Sequence, residues 1–443
     1  VGEGRRAGSS AGRVGIGARA ADWVRTESPV GRERLLLIGA VLLGAVVQFA
    51  YVVKVRHYAL AGDEPEYNIE GQLIAHGKLF YTYLPYGILH AGAWKAPLYP
   101  AWVGLVYAVF GHHITIVRLL QVPLTLTAIP LCWLLARRLF GSRVAVAAAF
   151  VVAVYPLVWQ YEGLLYPESL CVPLYLVLFV LMLTRTPTVR RAVGFGLVLG
   201  IALLLRPTTE FILLGLLVAW CIAVGWRRGI VLTVVAIVVG VLVVAPWTIR
   251  NAVVMHGFVP ISMQDSAAYG TFNAQSAHNR EFPWAWEDAP APDLDLFNRA
   301  HPLSDVTLRS RLIHRALSYI SAHPMSVLDA FFWNGLSRLW DVRHTSRALV
   351  EVPYEGRSRL VTRIGLYMYY VLLPLCLIGL WRARRRPALL WGVLGIALGA
   401  SIVFSTAAGT RYRAPLEPLI VTLACAGVLG AARPPSAQGL PRG

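Results

Sequence analysis

The feature that most limits this chain is a series of apolar stretches, many approaching or reaching the roughly 20 residues that cross a bilayer, separated by short arginine-bearing turns. In lipid every backbone N–H and C=O must find a partner within the protein, and long apolar runs achieve this as helices. Hydrophobic residues make up 57% of the 443 and charged ones only 14%, where a soluble domain carries about a quarter. The reading is an all-α polytopic membrane protein. Its net charge of +18 is almost all arginine, with lysine only at Lys54, Lys78 and Lys95. The arginines are scattered among the apolar segments and their turns, which fits positive-inside loops and excludes a nucleic-acid surface. Cys132, Cys171, Cys221, Cys376 and Cys425 fall inside apolar runs without ligand spacing, so neither a disulfide framework nor a zinc site is expected.

Residues 1–34 are rich in Gly, Arg and Ser, and are expected to be a disordered basic cytoplasmic tail without a cleavable signal pattern. Segment 35–53 is then a retained first span, followed by an outer loop over 54–96. Segment 97–110 is apolar but only about 14 residues, or roughly 21 Å of helix against a core of about 30 Å. It is expected to be juxtamembrane or re-entrant. Further spans are expected at 116–135, 144–159, 169–183, 192–205, 209–225, 230–246, 364–380, 388–404 and 415–429. This makes about ten, and it leaves Arg137, Arg138, Arg143, Arg185, Arg190, Arg191, Arg227, Arg228 and the run 382–386 on the cytoplasmic side. An eleven-span arrangement, with 97–110 crossing, would put Arg137 and Arg138 outside.

The domains that follow are an N-terminal membrane module (35–247), a long outer loop (248–362), C-terminal membrane helices (363–431) and a cytoplasmic tail (432–443). Within the long loop, Ser304 is placed to cap a helix over 304–320 with an apolar stripe of Leu308, Leu312, Ala316 and Tyr319. Segment 326–340 reads as a second amphipathic helix, with Val327, Phe331, Phe332, Leu336 and Leu339 on its apolar side. Both are expected on the outer membrane face. No internal repeat is evident, which weighs against a transporter built on inverted repeats.

Ionisable residues gather at one membrane face. Ala61-Gly62-Asp63-Glu64-Pro65-Glu66-Tyr67 follows the first span and holds three carboxylates in four residues, costly at a membrane surface unless paired or solvated. Adjacent carboxylates cannot share one helix face, so one can face a reaction centre while the other orients it or binds an acceptor or ion. The plainer reading makes Asp63 an N-cap and Glu66 the partner that closes a capping box. Lys95, before Pro97, can hold a lipid phosphate or can simply snorkel. Tyr161-Glu162-Gly163-Leu164-Leu165-Tyr166-Pro167-Glu168 brings a second acidic group to the outer side, or only solvation and aromatic-belt tyrosines. Arg206 ends a run of about 14 residues from Arg191, short of the full core. It therefore needs an anion, a wet cavity or an ion partner such as Glu210. Arg250 and Arg411 stand at outer borders, against the positive-inside trend, as phosphate or headgroup ligands or as interface anchors.

The order of these motifs carries a resemblance. It runs from Asp63-Glu64 after the first span, through Lys95-Ala96-Pro97-Leu98-Tyr99-Pro100, Arg137-Arg138-Leu139-Phe140-Gly141 and Tyr166-Pro167-Glu168. It continues with Arg206-Pro207-Thr208, Pro246-Trp247-Thr248-Ile249-Arg250-Asn251 and Arg411-Tyr412-Arg413-Ala414-Pro415-Leu416-Glu417-Pro418. The chain resembles the GT-C superfamily of integral membrane glycosyltransferases, in its branch of protein O-mannosyltransferases (family 39) and lipid A aminoarabinose transferases, over roughly residues 35–430. The resemblance implies a GT-C fold with about 10–11 transmembrane helices and outer-face amphipathic helices. It implies a polyprenyl-phosphate sugar donor used at the outer face of a bacterial plasma membrane, an acceptor hydroxyl on a glycan, lipid or protein, and inversion at the anomeric carbon.

On that resemblance Asp63 falls at the catalytic acidic position and Glu64 beside it. Lys95 matches a lysine that contacts donor phosphate, and Glu168 a second functional carboxylate. Arg206, Arg250 and Arg411 are further phosphate candidates by position. Glu162 and Tyr67 are candidates on the acceptor side. Some members of the superfamily place a divalent ion at the acidic pair, and hard oxygen ligands at Asp63 and Glu64 would favour Mg²⁺ or Mn²⁺. The competing readings are a lipid-linked glycan ligase or polymerase, which relies on Arg and His of the long loop, and a lipid or sugar transporter.

Overall fold

The computed structural model describes residues 29–430, apart from positions 289, 344 and 408. Six of its helices are long and apolar enough to cross a membrane: Gly31–Val55, Ile114–Phe140, Pro207–Val224, Trp226–Met255, Arg359–Arg385 and Thr410–Leu429. The protein is an all-α multi-pass membrane protein. The expected span at 144–159 is broken, because Pro156 pushes Tyr155 into an extended conformation (φ −87°, ψ 106°). Ser142–Val154 and Pro156–Gly163 consequently meet at a 68° bend. The segments expected at 169–183, 192–205 and 388–404 form the helices Glu168–Leu183, Val189–Leu205 and Pro387–Val403, of 16, 17 and 17 residues. Leu98–Phe110, with 13 residues, is also a short apolar helix.

Two expected boundaries move. The first helix starts at Pro29, so positions 29–34 belong to it and not to a tail. Glu33 is the reason: it meets Arg137 Nε at 3.1 Å and accepts from the Ser142 hydroxyl at 2.9 Å, which fastens the first helical turn to two later ones. The rest of the expected N-terminal tail and the expected tail at 432–443 lie outside the described residues. At the other boundary, Trp226–Met255 continues for 30 residues through Pro246. The long outer loop therefore begins at His256, which takes a left-handed conformation (φ 52°).

Within that loop Ser304 caps Asp305–Ala322 by accepting from the Thr307 N–H at 3.3 Å. The stripe of Leu308, Leu312 and Ala316 is buried, but not against lipid. It packs with Tyr86 of the first outer loop and Tyr269, Phe272 and Trp284 of the long one into a second hydrophobic core, so the expectation of a helix lying on the membrane by this face does not hold. Aromatic residues supplied by the irregular part of the loop cover the stripe first. The second amphipathic segment divides into Ser326–Ala330 and a π-helical stretch, Phe331–Arg338. Asn334, Gly335, Arg338 and Leu339 face inward, whereas Val327, Leu328, Phe332 and Leu336 remain exposed.

A small antiparallel hairpin, Tyr81–Thr82 with His90–Ala91, leans on the start of the Asp305–Ala322 helix. His90 Nε2 lies 3.0 Å from Asp305 Oδ1. The hydrogen bond to Asp305 raises the His90 pKa above its ordinary value, against the opposing effect of burial. The stabilisation is therefore complete below the ordinary histidine value of about 6.5 and is lost as pH rises through the raised one. Limited proteolysis of the 78–95 segment should accelerate as the pH rises above about 6.5 in the wild type, and His90→Gln should cut as fast at the lower pH as at the higher.

Candidate active site

The turn 61–63 is shaped by Gly62, whose φ of +59° is left-handed and whose α-carbon lies against the Tyr166 hydroxyl, leaving no room for a Cβ. Tyr166 ties the turn from both sides. Its hydroxyl donates to the Ala61 carbonyl at 3.2 Å and accepts the Asp63 N–H at 3.3 Å. Asp63 precedes the helix Glu64–Ala75, yet its side chain makes no capping hydrogen bond. Asp63 Oδ1 meets Lys95 Nζ at 3.0 Å and Oδ2 meets Arg411 Nη2 at 2.9 Å. Glu66 does not close a capping box either: its Oε2 lies 2.6 Å from Lys95 Nζ.

The two cations reach further acids. Arg411 Nε is 3.3 Å from Glu168 Oε1 and 3.9 Å from Glu355 Oε1, and Glu168 also pairs closely with Arg206. Arg357 Nε meets Glu355 Oε2 at 2.6 Å. Arg411 stacks over the rings of Tyr166 and Tyr412, Arg206 over Tyr412, and Lys95 over Tyr67. The cations are buried; the Asp63 and Glu66 side chains are about a third exposed, at 32% and 28%. The result is a floor of buried positive charge with two carboxylates at its rim.

Burial raises the Asp63 pKa, but Lys95 and Arg411 outweigh that effect and hold the carboxyl below the usual range. The Lys95 ammonium is pulled down by burial and driven up more strongly by Asp63, Tyr67 and Glu66, so it remains charged. Burial pushes the neighbouring Glu70 carboxyl up to about 8, against the pull of Lys95. At neutral pH Glu70 thus adds little negative charge.

The structure brings together Asp63, Tyr67, Lys95, Glu168, Arg206 and Arg411 and separates the other sequence candidates. Glu64 turns inward and is fully buried. It accepts from the Leu165 N–H at 2.8 Å and the Ala61 N–H at 3.0 Å, and pairs with Arg118 Nη2 at 3.3 Å. Glu162 is fully buried and joins none of these ion pairs. Arg250 donates to the Gly92 and Phe80 carbonyls at 2.8 and 3.0 Å and stacks on Trp247, so it clasps the hairpin loop instead of the acidic cluster. Arg206 pairs with Glu168 and not with Glu210.

Asp63 and Glu64 do not fit a shared divalent ion. Cations cover both oxygens of one carboxylate, and protein donors cover both oxygens of the other. No group of three His, Cys, Asp or Glu residues arranged for a metal occurs among the described residues.

Sequence reasoning gave Glu66 only a capping role and missed Glu355, Arg357 and the groups beneath the site. Arg118 is a lone charge within an apolar run, a signal that could have found it. Arg413, two residues after Arg411, meets Glu417 Oε1 at 2.7 Å and Asp341 Oδ2 at 3.0 Å, and Glu417 accepts from the Tyr155 hydroxyl at 2.9 Å. This buried knot fixes the short turn that presents Arg411.

Residues 94–249 match the family model described as dolichyl-phosphate-mannose-protein mannosyltransferase. The matched segment holds Lys95, Glu168 and Arg206. Over that segment the chain resembles membrane mannosyltransferases. Among solved structures, the oligosaccharyltransferase AglB from Archaeoglobus fulgidus, in complex with an inhibitory peptide and a dolichol-phosphate, aligns at 15% identity and a TM-score of 0.48, covering 93% of this chain and 53% of its own. ArnT from Cupriavidus metallidurans bound to undecaprenyl phosphate aligns at 15% identity and a TM-score of 0.41, covering 86% of this chain and 77% of its own. The chain thus spans about half the length of the oligosaccharyltransferase. No curated protein matches it by sequence.

The contrast between Asp63 and Glu64 is testable through stability. Arg118→Leu leaves Glu64 buried without its cation and should cost on the order of 3–5 kcal/mol, seen as a clear drop in the thermal unfolding midpoint of the detergent-solubilised protein. Asp63→Asn, at a partly exposed rim position whose two cations keep Glu66 and Glu168 as partners, should lower the midpoint less than Arg118→Leu does. Equal midpoints for Arg118→Leu and the wild type would remove the structural role given to Glu64.

Proposed function

We propose that the chain is a membrane glycosyltransferase that moves a sugar from a polyprenyl-phosphate donor to an acceptor hydroxyl at the outer membrane face, with inversion at the anomeric carbon. The observation that carries this reading is the partly exposed Asp63 carboxylate held between the buried cations Lys95 and Arg411. A phosphate leaving group needs positive charge and no acid. An attacking hydroxyl needs a carboxylate within hydrogen-bond reach. Both requirements meet within one cluster. The family match over 94–249 and the polyprenyl phosphates bound by ArnT and AglB agree in kind with such a donor. The arginine-rich turns at the opposite end of the bundle favour a cytoplasmic side there, which supports an outer position for this cluster. A bacterial plasma membrane is the setting we assign.

In this mechanism Asp63 accepts the acceptor's hydroxyl proton as the oxygen attacks the anomeric carbon. The bond from that carbon to the phosphate oxygen breaks, and its electron pair leaves with the lipid phosphate. Lys95, Arg411 and Arg206 receive the developing charge. Glu168, fully buried between Arg206 and Arg411, holds the two guanidiniums in place. Tyr67 supports Lys95 from below. The acceptor, whether glycan, lipid or protein, approaches over the exposed rim of Asp63 and Glu66.

The arrangement also makes Asp63 a poor base before the donor binds, because both its oxygens are neutralised. A donor phosphate competes for Lys95 and Arg411. Once they turn to it, the carboxylate is released and becomes more basic. Base strength is in this way coupled to donor occupancy, and the proton acceptor is armed only when there is a sugar to transfer.

Purified protein offered a panel of radiolabelled polyprenyl-phosphate sugars should transfer or hydrolyse one of them. Asp63→Asn should abolish turnover while still retaining donor, and Lys95→Gln should lower the rate by about 10²–10³, as for loss of one charge-stabilising donor. Full activity in Asp63→Asn would move the base to another carboxylate. Failure of the wild type to consume any donor would overturn the transferase reading.

A further inference from the structure

At the opposite end of the bundle from the acidic cluster, a cleft of about 410 Å³ opens between the ends of four helices. That volume is in the range of ligand sites, about 300–1,000 Å³. Leu183, Ile222 and Leu389 give it apolar walls, Thr184 a polar point, and Arg138 and Arg386 its charge. The first residues of Pro387–Val403 also line it, so the positive pole of that helix is directed there. Arg185 and Arg191 contribute to the same field.

No acidic side chain lies within ion-pair distance of any of these four arginines among the described residues. At the outer cluster, by contrast, every cation has an acid. Two of the four have backbone duties. Arg386 donates to the Leu139 carbonyl, and Arg191 to the Leu181 and Val180 carbonyls at 3.1 and 2.8 Å, covering the free carbonyl ends of two helices. A guanidinium has five N–H donors, so Arg386 keeps most of its fork. Arg138 makes no such side-chain hydrogen bond among the described residues. Positive-inside loops account for arginine at this end, but not for two of them lining an apolar-walled cleft between helix ends.

We propose that this cleft is a binding site for the headgroup of an anionic phospholipid of the inner leaflet. A lipid suits it better than a soluble anion because the cleft joins a cationic mouth to walls of Leu183, Ile222 and Leu389. Phosphate at Arg138 and Arg386 and acyl chain along those walls satisfy both surfaces. Basic pockets between helix ends on this side of a membrane are suited to anionic headgroups. Occupancy would bridge the ends of the four helices that line the cleft, and the site is independent of the chemistry at the outer face.

The test is native mass spectrometry of the full chain released from micelles doped with either phosphatidylglycerol or phosphatidylcholine. The wild type should retain phosphatidylglycerol with at least tenfold preference. Arg138→Gln and the Arg138→Gln/Arg386→Gln pair should each reduce that preference, the pair by tenfold or more. Arg227→Gln/Arg228→Gln, on another basic turn outside the cleft, should leave it unchanged. Arg138→Gln removes no hydrogen bond or ion pair among the described residues, so an unchanged thermal midpoint in zwitterionic detergent separates lost binding from lost folding. Equal preference in the wild type and the Arg138/Arg386 pair overturns the proposal, as does an equal loss in the Arg227/Arg228 pair. Full displacement of the lipid by millimolar inorganic phosphate would assign the cleft to a soluble anion and likewise overturn it.

Discussion

The Asp63 carboxylate, gripped on one oxygen by Lys95 and on the other by Arg411, joins parts of the chain that are far apart in sequence: the first outer turn, the segment before a short apolar helix, and the mouth of the last span. In a low-dielectric setting such pairs are strong only when their geometry is held, because every charge taken out of water has a desolvation cost to offset. Much of the surrounding structure can be read as meeting that condition. Gly62 and Tyr166 set the turn. Glu168 and Tyr412 fix Arg206 and Arg411. Tyr67, braced by Tyr99 at a ring distance of 4.9 Å, lies beneath Lys95.

Below this layer lie two fully buried ionic groups that do not reach the rim: Glu64 with Arg118, and Arg413 with Asp341 and Glu417. They add little net stability relative to apolar residues of the same shape, yet breaking one is expensive. Their value is positional. Glu64 ties the acidic turn to the N–H of Leu165, and the Arg413 knot ties the Arg411 turn to the long outer loop at Asp341. In the cluster above them four acids (Asp63, Glu66, Glu168, Glu355) and four cations (Lys95, Arg206, Arg357, Arg411) approach neutrality, with only Asp63 and Glu66 about a third exposed.

The spans and the acidic turn were legible in the sequence because apolar length and stranded ionisable residues are strong signals at a membrane. Partner choice was not legible. The spacing of Asp63 and Glu66 fits a capping box, but Lys95 draws both carboxylates away, since a charged pair in low dielectric outcompetes a neutral cap. Arg206 was given Glu210 as the nearest acid in sequence, while the 3-10 turn Pro207–Phe211 leaves Glu210 exposed and Glu168 becomes the partner. Arg250 looked like a headgroup ligand because it stands at the outer border, yet two hairpin carbonyls had the prior claim. The Asp305–Ala322 stripe was read correctly as apolar and wrongly as lipid-facing, because periodicity identifies a face and not what covers it.

The central claim is that Lys95 and Arg411 neutralise Asp63 until a donor phosphate takes them over. The pH dependence of turnover tests this most directly, since kcat/KM reports the free enzyme and kcat the donor-bound one. With the ionised carboxylate stabilised in the free enzyme, the acid limb of kcat/KM should fall below the usual carboxylate range, and the acid limb of kcat should lie at least one pH unit higher. Asp63→Glu should shift both limbs if it retains activity. Acid limbs that coincide in the two profiles would contradict the account, because the carboxylate would then feel the same cations with and without donor.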